Sequence, residues 1–171
     1  MLRLRVGIGA TAGTVIASRR IERGGYVRLE AGTASHTGRI RTSNQDSVGL
    51  MDGLYVVADG MGGHRGGEVA SAEAVAAMLA VFDRRDRAGL VAAVRSANRT
   101  ILEKTVTRPD LSGMGTTLCA LAVVSSASGD EVLAVANIGD SRVYRFAAGE
   151  LVQVSDDHSL VADLMRAGEL T

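Results

Sequence analysis

The chain has 171 residues, of which 46% are hydrophobic and only 3% aromatic, so it is long enough for one domain with an aliphatic core. Its 19 basic and 19 acidic side chains cancel, which argues against a nucleic-acid-binding or membrane-surface protein. Its single cysteine, Cys119, rules out a disulfide within the chain and predicts a cytoplasmic protein.

The N-terminal segment, residues 1–25, resembles a signal peptide only superficially. Arg3 and Arg5 precede an apolar stretch, but glycine and threonine dilute it and it is too short to span a bilayer. Its glycines also have the wrong spacing for a dinucleotide-binding loop. We therefore expect a poorly ordered extension or a wrongly assigned start over residues 1–25, followed by one domain over residues 26–171.

Short β-like patches over residues 26–38 and a polar loop over residues 41–47 begin this domain. The sequence VGLMDGLYVVADG then predicts two strands joined by a turn at Asp52-Gly53. Apolar residues at helical spacing predict helices over residues 68–82 and 87–106.

The second half of the chain is rich in predicted strands. TTLCALAVVSSA and EVLAVANIG are β-like, and SRVYRFAAGELVQVS predicts a hairpin that turns at Gly149-Glu150. A last helix is predicted over residues 156–170, with Asp157 or Ser159 as the N-cap. The order of strands, two helices and more strands predicts an α+β domain whose antiparallel sheet is covered by helices. Cys119 lies inside one of the apolar runs and is predicted to be a buried core residue.

Three acidic residues stand at the edges of predicted strands, in loops rich in glycine, serine or asparagine. They are Asp46 in SNQDS, Asp59 in VVADGMGG and Asp140 in ANIGDSRVYR. Unpaired carboxylates near an apolar interior are costly, and a hard cation such as Mg²⁺ or Mn²⁺ offsets that cost. An aspartate before glycine is also a common turn residue, so Asp59 taken alone is equally compatible with a turn. Taken alone, Asp140 favours a turn and Asp46 favours an exposed loop acid.

Five ordered segments are similar to the bacterial metal-dependent serine/threonine protein phosphatases, the PPM or type 2C family: RTSNQDS, VVADGMGGHRGGEVAS, GMGTTL, ANIGDSRVYR and DDHSLVADLMRAGELT. The resemblance implies a four-layer α-β-β-α sandwich of two antiparallel sheets, with two Mg²⁺ or Mn²⁺ ions and a third, weaker metal site. It implies hydrolysis of phosphoserine and phosphothreonine on proteins by a metal-activated water. Implied partners are phosphorylated proteins and a serine/threonine kinase that shares these substrates.

The resemblance also implies residue roles. Asp59 matches the carboxylate that bridges two metals, and Gly60 matches a ligand that acts through its backbone carbonyl. Asp46 matches an acid that reaches the metals through water, and Asp140 matches the acid of the third site. Arg41 matches the guanidinium that binds the substrate phosphate. Structural roles are implied for Gly115, Thr116, Thr117 and His158.

The chain departs from the family pattern in two ways. Met61 stands where some relatives carry a histidine proposed as a general acid, and His64 nearby is predicted to be a loop residue. After Asp140 we find no DG and DN motifs of the kind that complete the dinuclear site, so the C-terminal strands and helix of the fold are expected to be lacking. We expect little turnover by these residues alone. Two interpretations stay open. The first is an incomplete chain of a phosphatase whose activity belongs to the complete protein. The second is a non-catalytic pseudophosphatase or regulatory module that binds phosphoproteins through Arg41 or binds one metal weakly.

Overall fold

The computed structural model describes residues 2–7, 14–21, 27–62 and 65–168. His64 lies outside these ranges. Within them, in chain order, the elements are β1 (Leu2–Gly7), β2 (Thr14–Ile21), β3 (Val27–Ala34), β4 (Asp46–Met51), β5 (Leu54–Met61), α1 (Gly66–Val81), α2 (Arg87–Thr107), a short 3-10 helix (Pro109–Leu111), β6 (Gly115–Thr116), β7 (Leu118–Ser125), β8 (Glu131–Ile138), β9 (Arg142–Ala147), β10 (Glu150–Gln153) and α3 (Leu160–Arg166).

The strands form two antiparallel sheets, as predicted. The first has the strand order β10-β9-β1-β2-β3, and the second has the order β4-β5-β7-β8, with β6 paired to the end of β5. The Asp52-Gly53 turn joins β4 to β5 as predicted, and Gly53 has φ 78°. The β9–β10 turn falls at Ala148-Gly149, one residue earlier than predicted. Both residues have positive φ, 52° and 84°, which matches the right-handed twist of the paired strands.

The first two helices lie within two residues of their predicted bounds at either end. α2 begins after Asp86, whose side chain accepts a hydrogen bond from the Gly89 N–H at 2.7 Å. α3 is shorter than predicted and begins after the N-cap Ser159. The preceding residues are held elsewhere, since Asp157 accepts three hydrogen bonds from Arg142 and the His158 N–H donates to the Gly139 carbonyl at 2.8 Å.

The second sheet lies between the helix pair and the first sheet. One face packs against α1 and α2 in a core that includes Leu54, Val56, Met78 and Ala93. The opposite face packs Val57, Cys119 and Leu121 against Val143 of β9 and Leu29 of β3. The described residues therefore supply a layer of two helices and both sheets of the predicted sandwich. None of their helices is long and apolar enough to cross a membrane.

Cys119 is a core residue, as predicted. Its side chain is 1% exposed between the two sheets, and its thiol donates a hydrogen bond to Asn137 Oδ1 at 2.9 Å. Burial raises the pKa of the thiol to about 12. A thiol that stays protonated at neutral pH cannot act as a nucleophile.

The N-terminal segment differs from the sequence expectation. A poorly ordered extension was expected over residues 1–25, whereas β1 and β2 lie in this segment. β1 pairs with both β9 and β2, so it occupies the centre of the first sheet. The reason is visible in LRLRV, where apolar and charged residues alternate with the period of a strand. The domain boundary at residue 26 stays a prediction.

Candidate metal centre

Asp46 and Asp59 are direct cross-strand neighbours in the β4–β5 hairpin. Residues paired in this way have Cβ atoms about 5 Å apart. Both residues are half-buried at the end of the sheet that lies opposite the Asp52-Gly53 turn. The structure thus brings together two of the three acidic residues singled out in the sequence.

The electrostatics of this pair suit a cation. Burial raises the pKa of the Asp59 carboxyl, and the negative charge of Asp46 and a hydrogen bond shared with it raise the pKa further. The positive charge of Arg41 lowers the pKa, and Asp140 raises it. Two carboxyls in this position favour sharing a proton, and a hard divalent cation can take the place of that proton. The donor set therefore fits Mg²⁺ or Mn²⁺.

The centre contains fewer protein ligands than a closed metal site. Among residues 27–62 and 65–168, no group of three or more histidine, cysteine, aspartate or glutamate side chains is arranged to hold a metal. Asp140 is exposed in the turn between β8 and β9 and acts on Asp59 through its charge. Arg41 is also exposed, and the Gly60 carbonyl stays a predicted ligand. Cation binding here would rely on Asp46 and Asp59, with backbone and solvent oxygens.

The loop before β4 fixes Asp46 through two residues that the sequence did not single out. The Ser35 hydroxyl donates to Asp46 Oδ2 at 3.3 Å, and the Asp46 N–H donates to Asn44 Oδ1 at 3.0 Å. The Asn44 amide also donates to the Ser35 hydroxyl at 2.5 Å. An asparagine side chain in a turn commonly bonds to the backbone two residues further on, so the sequence did contain a signal for Asn44.

Ser71 of α1 ties the helix to the same loop. It is fully buried, and its hydroxyl donates to the Gln45 carbonyl at 2.6 Å. The hydroxyls of Ser71 and Ser47 are 2.9 Å apart. A buried hydroxyl with these partners holds α1 and the residues flanking Asp46 in one position.

A second group of hydroxyls holds the backbone of Asp59. The Asp59 carbonyl accepts hydrogen bonds from Thr116 Oγ1 and the Thr117 N–H, both at 2.9 Å, and the Asp59 N–H donates to Thr117 Oγ1 at 3.1 Å. Thr117 Oγ1 lies 2.7 Å from the hydroxyl of Ser141, which is 4% exposed and follows Asp140. The pair Thr117–Ser141 thereby links the strand of Asp59 to the turn of Asp140.

Thr117→Val keeps the shape of the side chain but removes this hydroxyl. We expect the free energy of unfolding to fall by about 1–3 kcal/mol, because the Asp59 N–H and the buried Ser141 hydroxyl each lose a partner. Urea unfolding monitored by circular dichroism measures the change. Thr117→Ser retains the hydroxyl and should recover most of the loss. A valine variant as stable as the wild type would show that these hydrogen bonds contribute nothing.

The glycines around Asp59 allow close packing rather than an open surface. A Cβ added to Gly60 would lie 1.9 Å from the Gly67 carbonyl oxygen, and one added to Gly67 would lie 2.7 Å from the Gly60 carbonyl carbon. The Gly60 N–H also donates to the Gln45 carbonyl at 3.1 Å. The first turn of α1 therefore rests directly on the end of β5, beside Asp59.

Comparison with known proteins gives a consistent family match. The sequence profile of protein phosphatase 2C matches residues 35–164. The serine/threonine protein phosphatase PstP of Mycobacterium tuberculosis is 39% identical over 147 residues, which cover 84% of this chain and 28% of PstP. The serine/threonine phosphatase stp of Listeria welshimeri is 36% identical over 149 residues, which cover 78% of this chain and 56% of that protein.

Solved structures agree with the sequence matches. The crystal structure of the Mycobacterium tuberculosis phosphatase PstP/Ppp has a TM-score of 0.69 and 34% identity, covering 99% of this chain and 61% of that one. The catalytic domain of PstP in complex with two manganese ions has a TM-score of 0.68 and 34% identity, covering 100% of this chain and 63% of that one. The chain thus spans less than two thirds of the relatives and structures described here.

Proposed function

The chain belongs to the protein phosphatase 2C family, and we propose that it hydrolyses phosphoserine and phosphothreonine on proteins with the help of Mg²⁺ or Mn²⁺. The observation that carries the proposal is the pairing of Asp46 with Asp59, half-buried and with a raised Asp59 pKa. Such a pair is unfavourable without a cation, so it has a physical reason to bind one.

Bound cations would lower the pKa of a water molecule. Its deprotonated form could then attack a phosphate ester at neutral pH. Asp46 and Asp59 would hold the cations, with the Gly60 carbonyl as a further ligand and Asp140 at a third, weaker site. Arg41 would bind phosphate oxygens through its planar guanidinium. Met61 cannot donate a proton, so the leaving serine or threonine oxygen would be protonated from solvent.

The proposed partners are phosphorylated proteins and a serine/threonine kinase that modifies them. We also propose a cytoplasmic location, which the single buried thiol of Cys119 supports. Both proposals follow from the family and from the chemistry of the chain.

A second candidate function is a non-catalytic module that binds phosphoproteins. It is favoured by the lack of a three-residue metal-ligand group among the described residues. The exposed Arg41 would then bind the phosphate group without hydrolysis. The two functions differ in whether phosphate is released, and both need the side chain of Arg41.

Phosphate release from a phosphothreonine peptide distinguishes the candidates. With Mn²⁺ we expect slow release that EDTA abolishes, because two adjacent carboxylates bind the cation weakly. Arg41→Ala should reduce the rate about tenfold or more by removing a charged hydrogen bond to the phosphate. Arg39→Ala is the matched control, since Arg39 is an exposed arginine in the same loop and should leave the rate unchanged. Peptide binding that depends on Arg41, without release at millimolar Mn²⁺, would reject the hydrolase and support the binding module.

A further inference from the structure

The outer surface of α2 carries a shallow groove bordered by arginines. The groove has a volume of about 610 Å³ and is lined by Arg87, Ala88, Val91, Ala92, Arg95 and Arg99. The residues four positions apart share one helix face, so the three arginines stand in one row with Val91 between them. All six lining residues are exposed, and Val91 is 41% exposed.

The three groove arginines differ from their neighbours in having no partner among the described residues. Arg84 is paired with Asp86, and Arg85 is paired with Asp52. Arg87, Arg95 and Arg99 make no hydrogen bond or ion pair within the part of the chain that the structure describes. A chain whose net charge is zero thus presents, along one groove, three arginines that pair with no described side chain.

The spacing of these charges fits an extended acidic peptide. A rise of 1.5 Å per residue separates Arg95 from Arg99 by about 6 Å and Arg87 from Arg95 by about 12 Å along the helix axis. An extended peptide advances about 3.3 Å per residue, so acidic side chains about two and then four residues apart would meet the three guanidiniums. An apolar residue about midway along the longer interval would face Val91. Guanidinium groups bind carboxylate and phosphate oxygens in a bidentate manner.

The groove lies away from the candidate metal centre. Arg85, just before α2, contacts Asp52 at the turn end of the β4–β5 hairpin, whereas Asp46 and Asp59 lie at its other end. The far end of α2 meets the first half of α1 through the ion pair of Lys104 with Glu73. The Arg87 end of the groove therefore lies away from the site where phosphate would bind, and none of the residues that line the groove belongs to that site.

We propose that this groove docks an acidic segment of a protein partner, with acidic side chains spaced to meet Arg99, Arg95 and Arg87. That the partner is a phosphoprotein substrate rests on the proposed function. The docking itself depends only on charge and spacing.

Fluorescence anisotropy with a labelled peptide tests the docking. The peptide carries glutamates at positions 1, 3 and 7 and leucine at position 5, and a second peptide has glutamine in place of each glutamate. We expect the wild type to bind the acidic peptide, and Arg95→Glu to weaken binding about tenfold. Arg145→Glu makes the same charge change at an exposed residue of β9 and should change the affinity less than about twofold. Equal affinity for both peptides, no binding by the wild type, or equal losses in the two variants would overturn the proposal.

Two further measurements complete the test. Arg95→Gln should reproduce most of the loss without reversing the charge, and a wild-type affinity in this variant would contradict the docking site. A single-stranded oligonucleotide or a phosphatidylserine vesicle that binds more tightly than the peptide, with the same dependence on Arg95, would overturn the assignment to a protein partner. The assay needs neither metal nor turnover. Lack of phosphate release would therefore reject the proposed function without affecting the docking result.

Discussion

Replacing Asp59 by asparagine is expected to weaken Mn²⁺ binding at least about 100-fold and to abolish chelator-sensitive phosphate release. Loss of a residue that only supports a metal ligand typically costs roughly 10- to 100-fold in affinity, and Asp59 is proposed to be a ligand itself. The variant keeps Asp46 as the one carboxylate of the adjacent pair, so the negative charge of the pair is halved. Electron paramagnetic resonance of free Mn²⁺ measures the affinity directly.

Asp83→Asn is the control for this experiment, because it removes one negative charge at an exposed position outside the centre. It should bind Mn²⁺ as the wild type does. Unchanged Mn²⁺ affinity in Asp59→Asn would contradict the assignment of the metal centre.

Asp59→Asn should also stabilise the metal-free chain at neutral pH. Because the pKa of Asp59 is raised above its ordinary value of 3.8, its ionised form carries a free-energy cost in the folded state. That cost is present above the raised pKa and disappears as the pH falls to 3.8 and below. Urea unfolding in EDTA should therefore show a more stable variant at pH 7 and a smaller difference in acid. Functional residues typically behave in this way, because a side chain placed for activity often lowers the stability of the fold.

The pairing of Asp46 with Asp59 could be predicted from the sequence because a hairpin sets it. A two-residue turn at Asp52-Gly53 places Met51 opposite Leu54. Moving five residues along each strand from that pair leads to Asp46 and Asp59. Local turn chemistry therefore fixes a contact between residues that lie far apart in the sequence.

The parts of the site that sequence reasoning missed come from other elements. Ser71 reaches the loop before Asp46 from α1, and Ser141 reaches Thr117 from the turn after β8. Serines of this kind have no periodicity that marks them, since their role depends on how a helix or a turn packs on the sheet. β1 was missed for a different reason: LRLRV alternates as a strand does, but its partner β9 lies near the other end of the chain.

The glycines after Asp59 lead to the second large expected effect. Gly60→Ala should lower the free energy of unfolding by about 3 kcal/mol or more, at the upper end of overpacking costs. The added Cβ would lie 1.9 Å from the Gly67 carbonyl oxygen and 2.7 Å from the Gln45 carbonyl oxygen, and backbone atoms cannot rotate away as a side chain can. The first turn of α1 would have to move off β5, taking with it the buried Ser71 that bonds to the loop of Asp46. Thermal and urea unfolding measure the loss.

Gly32→Ala in β3 is the matched control, because a Cβ there has no atom within 4 Å and the change should cost no more than about 0.5 kcal/mol. Gly67→Ala disturbs the same contact from the helix side, where its Cβ would lie 2.7 Å from the Gly60 carbonyl carbon. Two substitutions that each displace α1 from β5 should cost less together than the sum of their separate effects, because the second finds the contact already opened. A Gly60→Ala variant as stable as Gly32→Ala would show that α1 can move away from the candidate metal centre at little cost. Additive losses would show that the two glycines do not act on one shared contact.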